Sequence, residues 1–124
     1  LIRQDPEMAE MMHLDRVVAG YEAGNEVICR GAPHLIIAHG DQNDRTTQNS
    51  CIIATTYLEL AAPSLGLGTC WGGFFTAAAS FWPPLQKALA LPQDHLVFAA
   101  AMVGYPKFAY HRLPPRIAPR VTWQ

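Results

Sequence analysis

The sequence predicts a mixed α+β domain. Two short apolar runs, 34–40 and 95–106, stand apart from stretches with helical spacing. Between them, residues 49–65 are apolar nearly all round, the pattern of a helix at the centre of a fold. Strands separated by helices around such a helix define the class.

Each element has its own local reason. Residues 5–20 read as a helix: Asp5 and Pro6 suit an N-cap and first helical position, and Met8, Met11, Met12, Val17 and Val18 share a face. Residues 22–33 are a connector. The run HLIIAHG follows Pro33, ends at Gly40 and reads as a buried strand. In the helix over 49–65, Ile52, Ile53, Tyr57, Leu60 and Ala61 share a face, Asn49 or Ser50 can cap the start, and Pro63 kinks or ends it. Gly66 then suits a left-handed residue that stops the helix, and Thr69 to Gly73 read as a short strand. Residues 76–91 give one or two short helices, the second opened by Pro83 and Pro84, and 95–106 a second buried strand. The tail from Lys107 holds Pro114, Pro115 and Pro119 and is expected to be extended.

The 124 residues make one domain. They are 50% hydrophobic but only 15% charged, against roughly 25% in an average soluble domain. A small domain needs more charge than average, so part of its apolar surface is expected to be covered in the working molecule. The net charge of −1 argues against nucleic acid as a partner. The apolar run Leu96–Val103 is far shorter than the roughly 20 residues that span a bilayer. Cys29, Cys51 and Cys70, with no C-x-x-C pair, suit reduced thiols in the cytoplasm. The opening LIRQDPEMAE has no initiator Met and no signal-type core, and reads as the interior of a longer chain.

The segment SLGLGTCWGGFF invites a phosphate-loop reading, which its spacing rejects. Gly66, Gly68 and Gly72 give G-x-G-x-x-x-G, one residue longer than the dinucleotide fingerprint, and a helix rather than a strand precedes them. No lysine precedes Thr69, as a Walker loop requires. Gly72 and Gly73 instead bare the backbone, either for a packed helix or for a flat ligand. His34 and His39 with Asp41 hint at a metal site, but their spacing puts the two imidazoles on opposite faces of a strand, so they read as strand-end histidines. Cys70 reads as a small buried hydrophobe rather than a nucleophile. Arg112, Arg116 and Arg120 recur every four residues, a spacing that lets guanidinium groups in an extended segment face one phosphate or carboxylate. Tyr110, Leu113, Ile117, Val121 and Trp123 in the same tail favour an arm docked on a neighbouring subunit over a solvated tail.

Taken together, RGAPHLII, ATTYLELAAPSLGLGTCWGGFF and MVGYPKFAYHRLPPRIAPRVTW resemble the nitroreductase family of FMN-dependent oxidoreductases, especially the small members associated with ferredoxin domains. The resemblance implies a nitroreductase-like fold, a central β-sheet around a long buried helix. It also implies an intertwined homodimer with FMN at the interface and residues 105–124 as an extended C-terminal arm crossing to the partner. Cys70, Trp71, Gly72 and Gly73 match the strand that runs along the flavin ring. Arg112 and Arg116 match the late basic positions that hold the FMN phosphate. Arg120 lies beyond the matching pattern. The implied activity carries a hydride from NAD(P)H to FMN and then electrons to nitroaromatic or quinone-like small-molecule acceptors in ping-pong turnover. No side chain is assigned as catalytic acid or base, and a ferredoxin is a further candidate partner. The family's basic opening segment, of the form R-R-S-x-R, is absent from these 124 residues. Residues 1–124 are therefore expected to be a single partial domain, the C-terminal two-thirds of the family fold. The alternative is a flavin-free scaffold or binding protein that keeps the fold without activity.

Overall fold

A computed structural model of the chain describes residues 6–109, 111–112 and 115–124. In chain order it contains α1 (Pro6–Met11), α2 (Leu14–Glu22), β1 (His34–Asp41), α3 (Thr47–Ala61), a 3-10 turn (Ala62–Leu65), β2 (Gly68–Trp71), α4 (Gly73–Phe81), α5 (Pro83–Leu89) and β3 (His95–Gly104). The three strands form one antiparallel sheet in the order β1-β3-β2. This is the mixed α+β architecture expected.

β3 is the centre of the molecule. Val97 and the unbroken run Ala99–Val103 are buried, which in a strand means cover on both faces. The helices that pack on it are α3 and α4, and three successive alanines let them approach closely. Against β1, the register shifts between Ala38 and His39 and leaves Phe98 without a partner, a bulge that re-aims the residues beyond it. β1 was expected to be buried. It is an edge strand, none of its residues is buried, and Ile36 is exposed.

The helix expected over 5–20 is two helices. His13 adopts a left-handed backbone, φ 51°, a conformation histidine tolerates better than most residues. Its N–H bonds to the carbonyl of Glu10 at 3.0 Å, which closes α1 before α2 begins. The cap expected at Asp5 lies outside the described residues. Of the expected apolar face, Met11 and Val18 are exposed.

α3 begins two residues before the expected caps. The Asp44 carboxylate accepts from the Thr46 N–H and hydroxyl, each at 2.8 Å, and these bonds hold its pKa below the ordinary aspartate value. Ser50 sits inside the first turn, its hydroxyl donating to the Thr46 carbonyl. At the other end Pro63 acts as expected: the α-helix stops at Ala61 and a 3-10 turn carries on to Leu65. Gly66 ends it in the left-handed region, φ 71°, while the N–H of Leu67 bonds to the Ala62 carbonyl at 3.0 Å. Only Cys51 and Thr55 of α3 are buried. Ile53, Tyr57 and Leu60 are 57%, 70% and 73% exposed. A helix that is apolar all round needs cover on every side, and within one chain the sheet covers only one.

The same imbalance runs through the molecule. The buried apolar residues are mostly alanines, joined by Val97, Met102 and Val103, while Phe81, Trp82, Ile117 and Trp123 are exposed. From Tyr105 onward no described residue is in a helix or strand, as the prolines require. No helix among the described residues is long and apolar enough to cross a membrane.

Candidate functional site

β2 lies at an edge of the sheet, pairing only with β3: Gly68 faces Gly104, Thr69 faces Val103, Cys70 faces Met102 and Trp71 faces Ala101. The strand ends at Trp71, not at Gly73 as expected. Gly72 is the N-cap of α4 and Gly73 its first residue. The reason is a set of bonds around Gly72. Its N–H donates to Ala100 at 2.8 Å, and its carbonyl accepts from both the N–H (2.9 Å) and the hydroxyl (3.1 Å) of Thr76. With Gly72 bonded opposite Ala100, the alternation of an antiparallel ladder turns the N–H and C=O of Thr69 and Trp71 to the open edge. A side chain on Gly72 would meet Ala100 and Phe75 at ordinary contact distance, whereas Gly73 faces open space. Of the two glycines singled out above, Gly73 is the one with room for a ligand beside its backbone.

Trp71 is fixed from outside the strand. Its indole Nε1 donates to Oε2 of Glu59, on α3, at 2.9 Å. Cys70 is exposed rather than the buried hydrophobe expected, and its Sγ makes a weak hydrogen bond to the Trp71 carbonyl, at 3.8 Å.

Cys70, Gly68 and Thr69 form one wall of an open groove of about 1080 Å³. The end of β3 and the first tail residues form a second wall, with Gly104, Tyr105, Lys107 and Phe108. The third is the connector before β1, with Cys29, Arg30 and Pro33. That volume is of the size that holds a cofactor or drug-sized ligand. Its charged lining side chains are Arg30, Lys107 and Glu59. The Lys107 ammonium lies 5.7 Å from the Phe108 ring centroid, within cation–π range.

The connector is built on Glu26. Its carboxylate accepts from the N–H groups of Ile28 (2.8 Å), Cys29 (2.7 Å) and Gly31 (2.9 Å). Arg30 and Gly31 are both left-handed, φ 54° and 67°, which curls the chain around the carboxylate. The Gly31 bond above all, then the Cys29 bond, holds Glu26 below the ordinary glutamate pKa. The Cys29 thiol is pushed up, by burial first and by the Glu26 charge second, so it stays protonated.

The structure therefore gathers some predicted residues and not others. Cys70 lines the groove; Trp71, Gly72 and Gly73 follow it in the chain but are not among the groove's lining residues. Arg112 and Arg116 are exposed on the tail and are not among the groove's lining residues. Sequence reasoning assigned no site role to Arg30, Glu59 or Lys107. Arg30 and Lys107 did lie within the motifs RGAP and GYPK, but their convergence depends on tertiary structure.

A small antiparallel sheet with helices packed on it and a cation-bearing groove beside its β2 edge define an α+β domain. The family model described as Nitroreductase family matches residues 2–105, and the chain belongs to that family. Similar solved structures include a nitroreductase with bound FMN from Bacteroides fragilis, at 24% identity and TM-score 0.66, with 79% of this chain and 54% of that one covered. A putative NADH dehydrogenase/NAD(P)H nitroreductase from Bacteroides thetaiotaomicron is 25% identical, TM-score 0.53, with 69% and 51% covered. An iodotyrosine deiodinase bound to FMN and 3-iodo-L-tyrosine shares the fold at 22% identity and TM-score 0.51, with 72% and 46% covered. The chain thus spans about half the length of these neighbours. No curated protein matches it.

Proposed function

We propose that this chain holds FMN as part of a nitroreductase-type oxidoreductase. The observation that carries the reading is the groove along β2, where a bare strand edge and two cations meet. The residues present fit the group. The open side of Gly73 leaves room for a flat ring, and the outward N–H and C=O groups of Thr69 and Trp71 can bond to the polar rim of a heterocycle. Arg30 and Lys107 suit a phosphate, which guanidinium and ammonium groups bind through charge-assisted hydrogen bonds. Arg112 and Arg116, on the exposed arm, are the further phosphate ligands that the family resemblance assigns.

The chemistry that FMN supplies when bound is acceptance of a hydride from NAD(P)H and delivery of electrons to a nitroaromatic or quinone-like acceptor, each binding in turn. The chain's own work is positioning. β2 presents backbone rather than side chains, and Glu59 locks the Trp71 indole. The reading includes a homodimer, in which a second copy covers the exposed side of α3 and receives the arm 105–124. Three free cysteines suit a cytoplasmic setting. Ferredoxin as an electron-transfer partner rests on the sequence resemblance.

The test is a titration of FMN with the purified chain, read by quenching of flavin fluorescence. Saturable quenching is expected. Arg30→Ala or Lys107→Ala weakens it roughly 10-fold or more, as loss of one charge-assisted bond does. Parallel double-reciprocal plots with NAD(P)H and a quinone test the alternating mechanism. No quenching at millimolar FMN overturns the reading in favour of a flavin-free scaffold.

A further inference from the structure

A second constellation lies at the opposite end of β3 from the groove. His39, on β1, and His95, at the start of β3, bring their Nδ1 atoms to 2.9 Å, with ring centroids 5.1 Å apart and planes tilted by 55°. The register shift between Ala38 and His39 sets this up by restarting the pairing so that His39 lies opposite Val97 and Asp41 opposite His95. His39, Asp41 and His95 then share one face, because directly paired residues point the same way and alternate residues match. Backbone closure next to the pair, Gln42 N–H to the Asp94 carbonyl at 2.9 Å, holds the two strand ends together.

We propose that His39 and His95 form a two-nitrogen chelate for a divalent transition-metal ion of the Ni(II) or Cu(II) type. Neutral imidazole is the side chain such ions favour. Metal–nitrogen bonds of about 2.0–2.1 Å at a right angle place the two nitrogens about 2.9 Å apart, whereas a tetrahedral ion needs about 3.3 Å. Without an ion the contact is a hydrogen bond, one Nδ1 donating and the other accepting; an ion displaces that proton, and nitrogens held this close suit cis positions in a square-planar or tetragonal ion, the geometry of Cu(II) and Ni(II). Small side-chain rotations turn both Nδ1 lone pairs toward one point, and each ring then carries its proton on Nε2. His39 is exposed and His95 half-buried, so the ion has access. Asp41 lies opposite His95 in the register, and Asp94 precedes His95 in the chain. The Asp41 carboxylate now accepts from the Asn43 N–H and side-chain amide. Among the described residues no group of three or more His, Cys, Asp or Glu is arranged for a metal, so water completes the coordination.

The probe is Ni(II), which leaves the thiols unoxidised. It is titrated into the untagged full chain by equilibrium dialysis and calorimetry, with reversal by chelator. One equivalent per chain is expected. His39→Gln and His95→Gln, each checked for native circular dichroism, should each lower affinity roughly 100-fold, because a chelate is lost with either arm. The triple variant His13→Gln, His34→Gln, His111→Gln should bind as wild type. Bound Cu(II) should show two equatorial nitrogens by electron paramagnetic resonance. Equal affinity in wild type and His39→Gln, loss in the triple variant, or a single coordinated nitrogen overturns the proposal.

Discussion

If a second copy covers the exposed side of α3, a single charge placed there must weaken the pair. Leu60→Glu is the sharpest such change, since Leu60 is 73% exposed in the single chain and a dimer supplies its only cover. Fully burying a leucine stabilises by about 1.5–3 kcal/mol, so three-quarters of that comes to about 1.5 kcal/mol per chain. A twofold axis uses the position twice, which doubles the loss to about 3 kcal/mol and raises the dimer dissociation constant roughly 150-fold. Desolvating an unpaired carboxylate adds to the loss. The isolated chain is hardly affected, because an exposed helix position tolerates substitution within about 0.5 kcal/mol. Sedimentation equilibrium over a range of concentrations measures both effects, with the exposed loop substitution Gln93→Glu as control. A Leu60→Glu protein with the wild-type dissociation constant, or a wild-type chain that is monomeric at high micromolar concentration, refutes this use of α3.

Three further outcomes are expected. Gly66→Ala meets no neighbouring atom but must hold φ 71°, a left-handed strain of about 1–2 kcal/mol offset in part by unfolded-state entropy. A net loss of about 1 kcal/mol lowers Tm by roughly 4 °C, and Gly66→Asn loses less. Glu26 has a lowered pKa, so the order it gives the connector is present above about pH 4.3 and is lost as pH falls through its folded value. Hydrogen exchange at the Ile28, Cys29 and Gly31 amides should quicken across that acid window, and in Glu26→Gln it should be fast already at pH 7. Deleting the residues after Tyr105 should turn the dimer into monomer or aggregate by light scattering, and an unchanged dimer would show that the arm is not in the interface.

What was legible in the sequence is what short-range chemistry decides. Pro63 and Gly66 end α3 within a few residues, Pro83 opens α5, and the run 96–103 has no polar residue with which to face water. What was not legible depends on partners far along the chain. β1 and β3 read alike as apolar strands, yet only β3 has neighbours on both sides, and nothing within HLIIAHG says that it will stand at an edge. The groove is assembled from the connector, α3, β2 and the tail, so Arg30 and Lys107 meet only after the sheet has formed. Composition behaved in the same way: the shortage of charge correctly implied uncovered apolar surface but could not place it, and Ile53, Tyr57 and Leu60 now locate part of it on α3. The histidines make the distinction clearest. Strand alternation puts His34 and His39 on opposite faces of β1. It is silent about His95, 56 positions on, which antiparallel pairing and one unpartnered phenylalanine bring to His39. Local periodicity can exclude a pair within an element, but only register can create one between elements.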